Sequence, residues 1–328
     1  MSDLHPLSAC LSSALAGVDP VSPEPLPPHE ARGLVLASDA HLPHDMPPRH
    51  EALRAGLAVT ALDLVGAGPQ NPVPLGQPET VTPGAALPEG TDAILPPEDA
   101  DGHPPLLEAI RALAPGDGLR RAGHDGRAGA RLIAAGARLT AGQVLAARLA
   151  GLEALPVRRP RVVLSVNAPA LHGLVRSLAC TAGAVVTDDA PHLRIIDGAD
   201  HTPRLALNPG ETAWLAQDGS SLTLTLPPRF DAALAALLAL AVPALAVLTG
   251  RPPAAETRPL TGKLTSAVGV SELVLLERSG ADWAAMPAGL ITLTGIARAD
   301  AFAILPADSE GLAAGSALQA TPLDRPFG

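Results

Sequence analysis

Residues 161–196 read RVVLSVNAPALHGLVRSLACTAGAVVTDDAPHLRII. The opening run, Arg161–Val166, is short, apolar and β-branched, which predicts a fully buried strand. Leu171–Ala179 then spaces its apolar residues as a helix does, and further strands are predicted around Val185, at Leu193–Ile196 and at Leu205–Leu207. A strand, a helix and a strand in that order predict a βαβ-like unit. Immediately upstream, Thr140 and Gln143 stand three residues apart as a capping box, and Val144, Leu145, Leu149 and Leu152 fall on one stripe. That spacing predicts a helix over 141–154.

Downstream, Trp214–Ala216 and Leu222–Leu226 flank Asp218-Gly219, a hairpin signal. The apolar run Ala232–Leu248 follows, opened by Asp231 and interrupted by Pro243, at the short edge of what a bilayer needs. It reads as a buried core helix of an α/β domain rather than a span. After the linker at 252–255 the pattern turns to β, with strands predicted at Leu273–Leu276, Gly289–Leu293 and Ala301–Leu305, so a small C-terminal β-domain is expected. The N-terminal third is Pro-rich, and its short apolar runs, such as Leu57–Leu64 and Asp92–Leu95, predict short strands between turns.

Composition narrows the function classes. In 328 residues there are 33 acids against 23 bases, a net charge of −10, which disfavours a polyanionic partner. With 2 Trp, 3 Phe and no Tyr, no aromatic platform exists for stacking bases, so nucleic acid is not an expected partner. Lys263 is the one lysine and Leu264 follows it, so no Walker-type phosphate loop can be written. No Gly-x-Gly-x-x-Gly follows a predicted strand and no Gly-x-Ser-x-Gly elbow occurs. Cys10 and Cys180 have no zinc spacing, and a reducing, cytoplasmic setting is the expectation. Residues 1–15 are acidic where an export signal carries positive charge, so export is not expected.

Three clusters carry candidate chemistry. His41, His44, Asp45, His50 and Glu51 share one proline-rich loop, where imidazole with carboxylate suits zinc or iron, or simply gives a polar loop. Arg120 and Arg121 precede a turn bearing His124 and Asp125, a patch that either holds an anion bidentately or pairs with a neighbour such as Asp117. Asp188-Asp189 and Asp197 to Asp200 and His201 follow predicted strands, where acids hold Mg²⁺ through phosphates or serve as ordinary loop caps.

Residues 26–39, LPPHEARGLVLASD, resemble the L-P-L-x-x-A-x-G-R-V-L-A-x-D of the molybdopterin molybdenumtransferase family, MoeA and the E-domain of gephyrin. The stretch from Arg120 through Asp125 to Leu155 is similar to its R-R-x-G-E-D and the helix that follows. Ala297 to Asp300, Leu305-Pro306 and residues 311–315 resemble its closing A-R-A-D-x-x-x-x-L-P barrel. Leu87–Ala93 and Leu205–Gly210 match in the right order. The resemblance implies an α/β plus β multidomain, elongated homodimer with a shortened three-layer α/β domain of the molybdopterin-binding kind and a C-terminal β-barrel. It implies these parts: residues 1–38 and 119–156 as an N-terminal linker domain, 39–118 as an inserted β-rich domain, 157–253 as the α/β domain and 254–328 as the barrel. In that family adenylylated molybdopterin is cleaved and molybdenum from molybdate is placed on the dithiolene with Mg²⁺, in a cleft between protomers.

The family's functional positions are altered in this sequence. Its M-D-G-Y-A is Arg54 to Ala58, its T-G-A is Pro83 to Ala85, and its S-T-G-D-E-L is Ser165-Val166-Asn167-Ala168-Pro169, each losing a carboxylate or a hydroxyl. Its K-P-G-K-P is Asn208-Pro209-Gly210-Glu211-Thr212, so two cations become an amide and an acid. Its P-G-N-P-V-S is Pro227 to Ala232, which brings in Arg229. What the resemblance leaves is Asp125 as catalytic candidate and Arg120, Arg121, Asp189, Asp200 and Arg229 as substrate-binding candidates, with no dedicated metal ligands. Two functional readings follow. One is a dimeric binding or scaffold protein that handles molybdopterin, or meets a molybdenum-cofactor protein, with transferase chemistry weakened or lost. The alternative is an active molybdenumtransferase using Mg²⁺, molybdate and molybdopterin, with Arg229 and the His41/His44 loop standing in for the missing groups. Neither reading expects a nucleic-acid or membrane partner.

Overall fold

The computed structural model describes residues 4–103, 106–167, 169–198 and 202–327. The chain forms two compact units. One comprises residues up to Ser38, Ala135–Val144 and Ala154 onward, the other Asp39–Ala134 with Leu145–Glu153.

The first unit is organised on a five-stranded sheet in the order Val185–Thr187, Arg161–Ser165, Leu193–Asp197, Ser221–Leu226, Trp214–Asp218. The first four strands run parallel and the last closes the predicted antiparallel hairpin, with Asp218 opposite Ser221. The helix Pro169–Ala182 makes the crossover, placing Val175, Leu178, Ala179 and Ala182 on its buried face at helical spacing. Gly183 ends it at φ +82°, where a Cβ would stand 3.0 Å from the Gly33 carbonyl oxygen, so only glycine lets the two backbones approach this closely.

The apolar run forms one helix, Phe230–Thr249, and 83% of its most apolar window is buried. It packs in a single core with Val162, Leu193, Ile195, Leu222 and Leu224 of the sheet and with Leu205, Leu273, Leu275 and Phe302. Burial on several faces explains why the helix is apolar all round. Its middle turn, Leu237–Ala241, is a π-turn just before Pro243, which has no N–H and would crowd the carbonyl of Ala239 in a regular α-turn.

The second sheet follows the order His5–Pro6, Leu205–Asn208, Ser271–Ser279, Ala301–Leu305, Ala317–Pro322, Glu256–Pro259, with Asp282–Ala285 paired to Ser271–Ser279. A bridge from Leu260 to Trp283 and the Thr261 N–H bond to the Trp283 carbonyl (2.9 Å) tie the chain after Glu256–Pro259 to Asp282–Ala285, closing the strands from Ser271–Ser279 round to Glu256–Pro259 into a barrel. The barrel fills with Val274, Leu276, Trp283, Leu305 and Leu318. An α/β layer followed by a β-barrel is thus present as the sequence led us to expect.

Three local expectations are corrected. Leu205–Leu207 does not join the βαβ sheet but pairs in parallel with His5–Pro6 and with Ser271–Glu272. Gly289–Leu293 is not a strand, because the Thr292 hydroxyl accepts from the Gly295 N–H (3.0 Å) and caps the helix Leu293–Arg298. The capping-box helix is Ala141–Leu149, shorter than 141–154, since the chain turns at Gly151. Its box forms as read, with Gln143 N–H donating to Thr140 Oγ1 (3.2 Å) and Thr140 N–H to Gln143 Oε1 (2.9 Å).

The second unit is built of short strands. Gly56–Val59 pairs with Thr80–Val81 and Ala93–Leu95, Leu106–Ala109 with Val73–Leu75 and Ala100–His103, Leu119–Arg120 with Glu51–Ala52, and Arg131–Ile133 with Ala40–His41. Among the described residues two of its small apolar clusters lie around Val59, Leu64 and Leu95 and around Ala58, Ile94 and Leu119.

Candidate active site

The strand Arg161–Ser165 connects to its neighbour on one side, and the chain then crosses to Leu193–Asp197 on the other. This reversal falls at the carboxyl ends of those two strands, the place where open α/β sheets bind ligands in a crevice. This edge is framed by Asn167, Asp197 and Gly198, and by the segment Pro227–Asp231 that follows the next strand. The Asp197 carboxylate accepts the Asn167 N–H at 2.6 Å, so it caps its own neighbouring loop. The His172 ring nitrogen bonds the Val166 carbonyl and is likewise occupied.

Arg229 is the cation of this edge. Its Nε and Nη2 donate to the two Asp231 oxygens at 3.2 and 2.5 Å. The bond to Asp231, with the field of that carboxylate and of Glu211, raises the Arg229 pKa. Burial works against the Asp231 carboxylate, but Arg229 and the Ala232 N–H outweigh it and hold its pKa below the ordinary aspartate value. One guanidinium here thus faces two carboxylates, which leaves no excess positive charge for an anion. Asn208 is engaged in a different way. Its amide donates to Glu272 Oε1 at 2.7 Å, while Glu272 Oε2 accepts from Ser266 Oγ (3.0 Å) and the Ala267 N–H (2.9 Å).

In the second unit Arg120 forks onto both oxygens of Asp125, and Arg121 donates to the Pro115 carbonyl at 2.7 Å. Asp117, the neighbour considered for these arginines, takes Arg54 instead at 3.0 Å. His50 Nδ1 accepts the Ala122 N–H (3.0 Å), and Asp45 binds the Ala128 N–H (2.9 Å) and Arg127 (2.7 Å). Those two bonds, the backbone one foremost, lower the Asp45 pKa. The loop of His41, His44 and His50 is therefore tied to the turn at 121–128 by structural bonds. Among the described residues no three His, Cys, Asp or Glu side chains converge as a metal site. Asp189 is exposed in the turn after Val185–Thr187, whereas Asp200 and His201 lie outside the described residues.

Comparison with known proteins matches residues 6–151 to the family model for the MoeA N-terminal region, domains I and II. The N-terminal region of this chain is similar to that of the MoeA family. Molybdopterin molybdenumtransferase 2 of Mycobacterium tuberculosis is 32% identical over 163 residues, 44% of this chain and 40% of the relative. The molybdopterin molybdenumtransferase of Synechococcus elongatus is 30% identical over 171 residues, 46% and 42% of the two. The match thus spans about two fifths of these curated relatives. Two crystal structures of the molybdopterin biosynthesis MoeA protein from Pyrococcus horikoshii share the fold across 98% of this chain, at TM-scores of 0.75 and 0.70 and identities of 21% and 20%. The MoeA fold therefore extends through the second half of the chain, beyond the part matched by the family model.

Two pairings, Glu272 with Asn208 and Glu211 with Arg229, escaped the sequence reading. Glu272 begins an apolar strand with no motif around it, and Glu211 stands 18 positions before Arg229. Only the fold brings them to Asn208 and Arg229. The Arg229–Asp231 pairing, by contrast, is visible in a separation of two residues.

Proposed function

We propose that this MoeA-like protein takes part in molybdenum-cofactor biosynthesis or handling as a homodimeric binding or scaffold protein, recognising molybdopterin or a protein that carries it, with molybdenum transfer weakened or lost. The observation that supports this reading is self-neutralisation: at the carboxyl edge Arg229 is held by Asp231 beside Glu211, and in the second sheet Asn208 serves Glu272. Molybdate and a phosphorylated pterin are multiply negative, and each charge-assisted hydrogen bond missing from a site costs roughly 1.5–3 kcal/mol. An edge whose described cation, Arg229, is already paired gives the transition state of such a transfer little electrostatic stabilisation. Mg²⁺ fits poorly as well. Both Asp125 oxygens are taken by Arg120, and one Asp197 oxygen accepts the Asn167 N–H, so the described carboxylates offer a hard cation no convergent set of open oxygens. In this reading residues 39–118 are the inserted β-rich domain and 157–253 the shortened α/β domain.

The test is to titrate molybdopterin and its adenylylated form into the purified protein and to measure molybdate-dependent AMP release in parallel. Binding without release is the expected result. Turnover that disappears in Asp125→Ala would overturn the proposal in favour of an active molybdenumtransferase, and no binding of either pterin would remove both.

A further inference from the structure

The amino end of the same sheet has the opposite electrostatic character. Where Arg161–Ser165 begins beside the edge strand Val185–Thr187, two adjoining concavities share Arg159 and Val185. One, of about 340 Å³, is lined by Glu30, Arg32, Gly33, Arg138 and Cys180, and the other, of about 250 Å³, by Glu24, Arg161 and Thr187. Four guanidiniums thus face two carboxylates, in a chain whose net charge is −10.

These arginines are mostly not neutralised. Arg32 is exposed and, among the described residues, meets no carboxylate. Arg138 donates only to the carbonyls of Gly33 and Cys180, both at 3.2 Å, and Arg161 to that of Ala190 at 2.7 Å. Arg159 has one ion pair, Glu24 at 3.5 Å, and Glu30 lies instead against His29 at 3.5 Å. Behind the cleft, burial and the charge of Arg138 together lower the Arg251 pKa, as a concentration of positive charge should. The wall is preformed, because the backbones of Gly33 and Gly183 are in close approach. No strand lies beyond Val185–Thr187 in the sheet, so outward backbone groups of this edge line the same place.

We propose that this basic cleft binds a phosphorylated small molecule, with its phosphate between Arg32, Arg138 and Arg159. Planar guanidinium forks match phosphate oxygens in pairs, and concavities of this size suit a sugar phosphate better than an extended chain. The cleft lies a five-residue strand away from the carboxyl edge, about 16 Å. It stands independently of what that edge binds.

Cys180 is exposed at the rim and Cys10 is buried, so alkylation of Cys180 by neutral iodoacetamide, read by mass spectrometry, reports occupancy. Ribose 5-phosphate and, more weakly, inorganic phosphate should slow that reaction, and added NaCl should relieve the protection. The pair Arg32→Glu with Arg159→Gln should weaken protection by about tenfold or more, and Arg32→Gln alone, at an exposed side chain, should weaken it without affecting the fold. Unchanged alkylation with either phosphate at millimolar concentration, or undiminished protection in the double variant, overturns the proposal. So does stronger protection by hexaglutamate than by ribose 5-phosphate, which would make the cleft an acidic-peptide surface.

Discussion

Glu272 is 5% exposed, yet three donors converge on its carboxylate: the Asn208 amide at 2.7 Å, Ser266 Oγ at 3.0 Å and the Ala267 N–H at 2.9 Å. It faces Asn208 across the parallel pairing of Leu205–Asn208 with Ser271–Ser279, and so fastens the segment 208–211 to the barrel. Hydrogen bonds to a charged acceptor contribute roughly 1.5–3 kcal/mol each. Removing all three does not cost the full sum, because Ser266 and Asn208 are both only half-buried, and water reaches them once the carboxylate is gone. Glu272→Ala should therefore destabilise the protein by about 3–5 kcal/mol. Glu272→Gln keeps one oxygen for Ser266 and Ala267, and a flipped Asn208 amide can accept from the new NH₂, so its cost should be only about 1–2 kcal/mol. Urea unfolding followed by circular dichroism reads both values as midpoint shifts at constant slope. A Glu272→Ala loss below about 1 kcal/mol, or equal losses for the two variants, would refute the reasoning.

Two further outcomes are expected. The His192 Nδ1 accepts the Arg161 N–H at 2.9 Å, and burial, helped by the charge of Arg161 against the pull of Glu24, lowers its pKa. The unfolded chain then takes up a proton that the folded one resists, so the stability contribution is complete above an unfolded value of about 6.5 and declines as pH falls below it. Melting temperatures from about pH 7 to about pH 5 should fall less steeply in His192→Asn, and parallel slopes would sink the assignment. Thr140→Ala removes the acceptor of the Gln143 N–H and should lower stability by about 1 kcal/mol in a urea titration; a change indistinguishable from zero would mean that the box contributes nothing.

The parts of the fold that could be read from the sequence are those that short stretches determine. The Thr140–Gln143 box and the Asp218-Gly219 hairpin each carry their signal within a few residues and form as read; the run Arg161–Val166 gives a strand over Arg161–Ser165, but only Val162 and Val163 in it are buried, not the whole strand. Leu205–Leu207 is also a strand, but an apolar run does not state which sheet edge it joins. That depends on His5–Pro6 and Ser271, about 200 and 64 positions away. At Gly289–Leu293 the apolar residues suggested extension, whereas Thr292 was positioned to start a helix. The site divides in the same way. Arg120 with Asp125 and Arg229 with Asp231 are local pairs, while Glu272 under Asn208 and Glu211 near Arg229 are tertiary.

At position 208 the fold asks for a hydrogen-bond donor to Glu272, whatever its charge. The family motif it resembles has a lysine there, and a lysine would both face an anion and satisfy Glu272. An asparagine cannot do the first, but its amide still donates to the buried carboxylate at 2.7 Å. An alanine would leave that oxygen without a donor, although Ser266 and the Ala267 N–H would still hold the other one. The requirement at this position is thus for a donor, not for a cation, and stability alone is enough to keep Asn208. Arg229 meets the converse constraint. Beside Asp231 and Glu211 it cannot give the edge positive excess, whatever its own charge. The arginines at the amino end face no comparable set of acids, and it is there that the fold leaves positive charge open to a ligand.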